Sequence, residues 1–77
     1  MNKELIREAK KYDKDGIKDD NDLFNTANIL LAYYGWDQVY KTWQNARWLS
    51  KGHPGAYNLL STSVWLGFKA GHKPNKA

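Results

Sequence analysis

Three features of this chain predict an all-α domain of three to four short helices. Apolar residues recur at intervals of three and four along most of its 77 residues, the spacing of a single helix face. Clusters of Gly, Pro, Asn and Asp cut that pattern into segments of helical length. The chain's length also limits it to one small domain at most. Below roughly 80 residues one core supplies only a few kcal/mol, which excludes Rossmann, barrel and two-domain enzyme folds. One helical domain over 1–70, followed by a flexible basic tail over 71–77, is the expected organisation.

The first helix is expected over 2–12, with Asn2 as its cap and Leu5, Ile6, Ala9 and Tyr12 on one face. A turn-rich stretch from Asp13 to Asp22 follows. A second helix, over 21–34, carries a stripe of Leu23, Ala27, Leu30, Leu31 and Tyr34. Phe24 and Ile29 widen the stripe, so this helix is expected to be the most buried, and Gly35 suits its end. Asp37 can cap a third helix running to Ser50, with Val39, Tyr40, Trp43, Ala46 and Leu49 facing inward. Gly52-His53-Pro54-Gly55 stops it. The last element, over 56–69, has Tyr57, Leu60, Val64 and Phe68 at helical spacing. The element is expected to be helix, with strand the alternative over 61–68, where the β-branched content of 61–65 and the cost of about 1 kcal/mol for Gly67 in a helix interior count against helix. The predicted core comprises Leu5, Ile6, Leu23, Ala27, Leu30, Leu31, Val39, Trp43, Leu60 and Val64.

The chain contains no Cys, 12 Lys and Arg against 8 Asp and Glu, and 4 Trp, 5 Tyr and 2 Phe. Without Cys there is no disulfide framework, thiolate zinc site or cysteine nucleophile. Charge is divided unevenly. Residues 1–22 hold six cations and seven carboxylates, whereas residues 23–77 hold six cations and Asp37 alone. The Trp-containing part is therefore basic, which favours an anionic partner.

The acidic stretch has a specific spacing. With Gly16 as the sixth position of a calcium loop, Asp13 falls at position 3, Asp15 at 5, the Ile17 carbonyl at 7, Asp19 at 9 and Asp22 at 12. Residues 11–22 thereby resemble the loops of EF-hands, dockerins and thrombospondin type 3 repeats, and the resemblance implies Ca²⁺ held by Asp13, Asp15, Asp19 and Asp22. The first ligand position is Lys11, a departure from the family pattern that removes a carboxylate and brings a cation. The other reading of this stretch is a solvated turn whose carboxylates cap the second helix. No other cofactor is expected.

A second constellation lies in the third helix, where Tyr40, Lys41, Gln44, Arg47, Trp48 and Lys51 combine aromatic and basic groups. Trp and Arg dominate the energetics of protein interfaces. Four Trp are hard to enclose in so small a core, so at least one is expected at a contact surface: Trp48 first, then Trp36 or Trp65. These residues predict a small binding protein that docks on a larger, acidic macromolecule, foremost a protein. The same groups suit nucleic acid, by base stacking and phosphate contact. Exposed indoles also leave self-association open.

Catalysis is not expected. His53 and His72 are the only imidazoles, and neither has an acidic partner at sequence spacing. Ser61 and Ser63 lack a nucleophile-elbow setting. Membrane binding is not expected either: the run from Ile29 to Trp36 is far below the roughly 20 residues of a spanning helix, and no segment has the polar face of an interfacial helix. The N-terminus lacks the apolar run of a secretory signal, so a cytoplasmic location is expected, in a host cell or a virion if the chain is phage-encoded. In general character this short, Lys- and Asn-rich chain resembles accessory proteins of phages and mobile elements, either inhibitors that cover a host surface or small particle subunits.

Overall fold

The computed structural model describes residues 2–15 and 19–74. Among these residues it is all-α, with five helices: α1 (Lys3–Asp15), α2 (Asp20–Tyr34), α3 (Trp36–Asn45), α4 (Leu49–Gly52) and α5 (Pro54–Lys69). The C-terminal helix organises the rest, because α5 packs against each of the other four. Ala56, Leu59, Leu60, Ser63, Val64 and Gly67 give it a buried stripe at i, i+3, i+4, i+7, i+8 and i+11. Stretch 61–68 is thus helix, and its β-branched residues are accommodated by packing that overrides propensity. Pro54 stands in the first turn, where its missing N–H costs nothing, so the helix starts two residues earlier than expected.

Gly67 explains itself in the same packing. The Trp36 indole lies so close that a Cβ at position 67 would collide with its ring, and the indole N–H donates to the Val64 carbonyl at 3.1 Å. The residue read as a weakness of the helix is the platform for the most buried tryptophan. Trp36 is therefore a core residue, contrary to its expected place among candidate contact residues. Its ring stacks on Tyr40 at 4.8 Å and on His72 at 5.4 Å. The His72 N–H bonds the Gly67 carbonyl at 2.9 Å, so the segment after α5 folds back on the core as far as His72.

The first two helices begin as their sequences require. Asn2 Oδ1 accepts from the Leu5 N–H at 3.0 Å, and Asp19 Oδ1 accepts from the Asp22 N–H at 2.8 Å, each a side-chain N-cap. Helix α1 runs three residues further than expected, through Asp15. Gly35 (φ 86°) joins α2 directly to α3, a backbone state that favours glycine, and Asp37 lies in the first turn of α3 instead of capping it.

Two expectations about burial and length are corrected. Helix α2 buries only Leu23, Ala27 and Leu30. Phe24 and Ile29 face solvent, Ile29 with 65% exposed, because α2 contacts chiefly α5 and α3 and offers them one narrow stripe. The third helix stops at Asn45, whose side-chain amide donates to the Lys41 carbonyl at 3.0 Å, and Ser50 Oγ donates to the Arg47 carbonyl at 2.8 Å. Such local bonds compete with helix continuation. The chain turns through 46–48 before α4, yet Ala46 and Leu49 both stay buried. Of the ten predicted core residues, Leu31 and Trp43 are half-buried and the other eight buried, so the periodicity located the core even where the helix boundaries moved.

Candidate docking surface

Helix α1 separates its charges. At about 100° per residue, Lys3, Arg7 and Lys10 fall on one flank and Glu4 and Glu8 on the other, with Leu5, Ile6 and Ala9 directed to the core. The basic flank meets the corner between α3 and α4. There Lys3, Ile6, Arg7, Lys10 and Trp48 line an open hollow of about 300 Å³. Trp48 is 49% exposed, and Lys10 Nζ lies 4.9 Å from its ring centroid, a cation–π contact. Arg7 and Lys10 continue into a second open depression, lined also by Lys11, Asp13, Gly52 and His53.

The opposite flank has a different chemistry. Glu4 and Glu8 border an open hollow of about 280 Å³ whose other walls are Ile29, Leu30, Tyr33 and Tyr34. The Tyr33 and Tyr34 rings meet edge to face, 4.8 Å between centroids. Burial raises the Tyr34 hydroxyl pKa above its ordinary value, and the negative charges of Glu4 and Glu8 raise it further. Lys11 Nζ approaches Glu8 at 3.4 Å in an exposed pair, which carries little energy.

The six residues expected to form one patch are divided by the break after Asn45. Tyr40, Lys41 and Gln44 line a small hollow with Asp37, and Gln44 Nε2 donates to the Tyr40 hydroxyl at 3.1 Å. Tyr40 belongs to the aromatic seam with Trp36, Trp43 and Phe68. Trp48 instead joins α1. Arg47 and Lys51 are exposed on the same corner as Trp48, in the turn and in α4. The near-zero net charge of residues 1–22 hides the grouping of Lys3, Arg7 and Lys10 on one flank. Their 3, 7, 10 spacing on a predicted helix was the signal that could have found them.

The acidic residues are also dispersed in role. Asp13 Oδ1 accepts from the Gly55 N–H at 2.6 Å, and its other oxygen lies 3.6 Å from His53 Nδ1. It thus serves the first turn of α5 from the end of α1, and it is the acidic neighbour of His53 that sequence spacing could not show. Asp19 caps α2 and Asp22 sits in the first turn. Asp15 ends α1; its side chain and residues 16–18, including Gly16 and Ile17 of the expected calcium loop, lie outside the described residues. Among the described residues, no three His, Asp or Glu side chains gather as a metal site. No helix there is long and apolar enough to cross a membrane.

Compared with protein-family models, curated proteins and solved structures, the chain matches none.

Proposed function

We propose that this is a non-enzymatic docking protein that binds an acidic macromolecular surface, foremost a protein, through the Trp48 corner. The observation that carries this reading is a half-exposed indole at the rim of a hollow lined by three cations and no carboxylate. Trp and Arg supply most of the energy at interface centres, and surrounding cations steer and orient an acidic partner. Arg47 and Lys51 extend the positive field on the α3–α4 side. Because Lys10 covers one face of the Trp48 ring, the indole is less free for base stacking than for packing against an apolar side chain beside an Asp or Glu.

Affinity capture from the native host, followed by mass spectrometry, tests this. Wild type should retain an acidic protein that Trp48→Ala and Arg7→Gln/Lys10→Gln each lose. Affinity should fall at least tenfold, about 1.4 kcal/mol, with thermal melts nearly unchanged since these side chains are at the surface. Unfolding by either change would make them structural residues and remove the reading. Retention of nucleic acid alone, with a steep salt dependence, would replace the acidic protein by DNA or RNA.

A further inference from the structure

The two flanks of α1 are complementary in charge as well as opposite in position. One presents Lys3, Arg7 and Lys10 around a protruding indole; the other presents Glu4 and Glu8 around an apolar hollow in which Ile29 and Tyr33 are 65% and 74% exposed. Glu4 and Arg7 are neighbours on the helix surface, but the Trp48 indole and the Ile29/Tyr33 hollow lie on different sides of α1 and do not meet within one molecule. They can meet between two.

We propose that the Glu4/Glu8 flank of one molecule receives the Trp48 flank of a second copy, so that the protein self-associates head to tail. This rests on the docking role given above to the Trp48 corner and names a partner for it. The indole of one copy would pack on Ile29 and Tyr33 of the next, while Arg7 and Lys10 approach Glu4 and Glu8. An aromatic wall beside carboxylates suits such cations, through ring faces as well as charge. The Tyr34 pKa is raised first by burial and then by Glu4 and Glu8, whose charges reach into the hollow. A standard interface covers about 800 Å² on each partner, roughly 15% of the 5316 Å² surface, so one molecule has room for both contacts. Two different patches make the contact heterologous, and its repetition yields a ring or an open chain instead of a two-fold dimer.

Sedimentation equilibrium of the full chain across the micromolar-to-millimolar range tests this. The weight-average mass should rise above 8.9 kDa with concentration, and the rise should shrink in high salt. Glu4→Gln/Glu8→Gln and Arg7→Gln/Lys10→Gln should each weaken association at least tenfold, with circular dichroism unchanged. Mixed in equal amounts, the two variants should recover one native contact and stop at a pair of chains. A wild type that stays monomeric throughout overturns the proposal, as does association that survives either variant or fails to return in the mixture. If capture of an acidic partner still depends on Arg7, Lys10 and Trp48 in that case, the docking reading stands and only the second copy is eliminated. If capture is insensitive to them too, both fall.

Discussion

The basic and acidic flanks of α1 are built from the same helix, yet they present different surfaces because of what each packs against. On the basic side, the break after Asn45 swings Trp48 toward Lys10, and an indole half-clear of solvent results. On the acidic side, α2 contributes a half-buried tyrosine, an exposed tyrosine and an exposed isoleucine. Net charge summed along the chain hides this contrast, since cations and carboxylates within one turn cancel in the sum while facing different neighbours in space. The charge that each flank presents is set by the 3.6-residue period together with the neighbouring helix.

The largest expected effect removes both flanks at once by unfolding the domain, through the packing that holds α3 and α5 together. Trp36→Ala removes a buried indole and its bond to the Val64 carbonyl, at a cost of about 3–5 kcal/mol. For a chain of this length that is most of the total stability. Thermal denaturation followed by circular dichroism should show a mostly unfolded protein at 37 °C. A melting temperature within a few degrees of wild type would mean that α5 does not depend on Trp36, and the central role of the Gly67 platform would be lost.

A smaller change acts nearer the basic flank. Asp13 ties the end of α1 to the first turn of α5 through the Gly55 N–H, a capping contact supplied from 42 residues away. Asp13→Ala should cost about 1–2 kcal/mol in urea denaturation. Asp13→Asn keeps an acceptor oxygen and should lose less. Equal losses in the two variants would place the energy in the charge facing His53 and not in the bond to Gly55.

Much of this was legible before the fold was known, and the illegible parts share a cause. Periodicity located Leu5, Leu23, Ala27, Val39, Leu60 and Val64 in the core because a buried stripe repeats every three or four residues whatever it packs against. Asn2 and Gly35 announced helix ends by chemistry that is local. Ile29 and Phe24 misled because an apolar residue at the edge of a stripe is buried only if a neighbouring helix reaches it, which no local pattern states. Gly67 misled for the converse reason, since its value lies in a tryptophan 31 positions earlier. The Trp48 corner is half visible in the sequence: the indole and its basic neighbours stand together there, but α1 supplies the cations of its hollow, and that juxtaposition exists only once α1 and the α3–α4 corner are packed together.

The smallest expected effect sharpens the separation of the flanks without disturbing the fold. The Tyr34 hydroxyl is held above the usual tyrosine range first by burial and then by Glu4 and Glu8. A group whose pKa is raised in the folded state binds its proton more firmly there than when unfolded. Its contribution to stability is therefore complete below the unfolded value, about 10, and is lost as pH rises through the folded one. Glu4→Gln/Glu8→Gln should lower the Tyr34 pKa part of the way, leaving the larger effect of burial, and should reduce that alkaline loss of stability. Arg7→Gln/Lys10→Gln, on the other flank, should leave the Tyr34 titration where it is. Site-resolved NMR of the tyrosine ring carbons distinguishes the two outcomes. If removing the cations moves Tyr34 as far as removing the carboxylates, the two flanks share one electrostatic field, and the division of α1 into two separately charged surfaces does not hold.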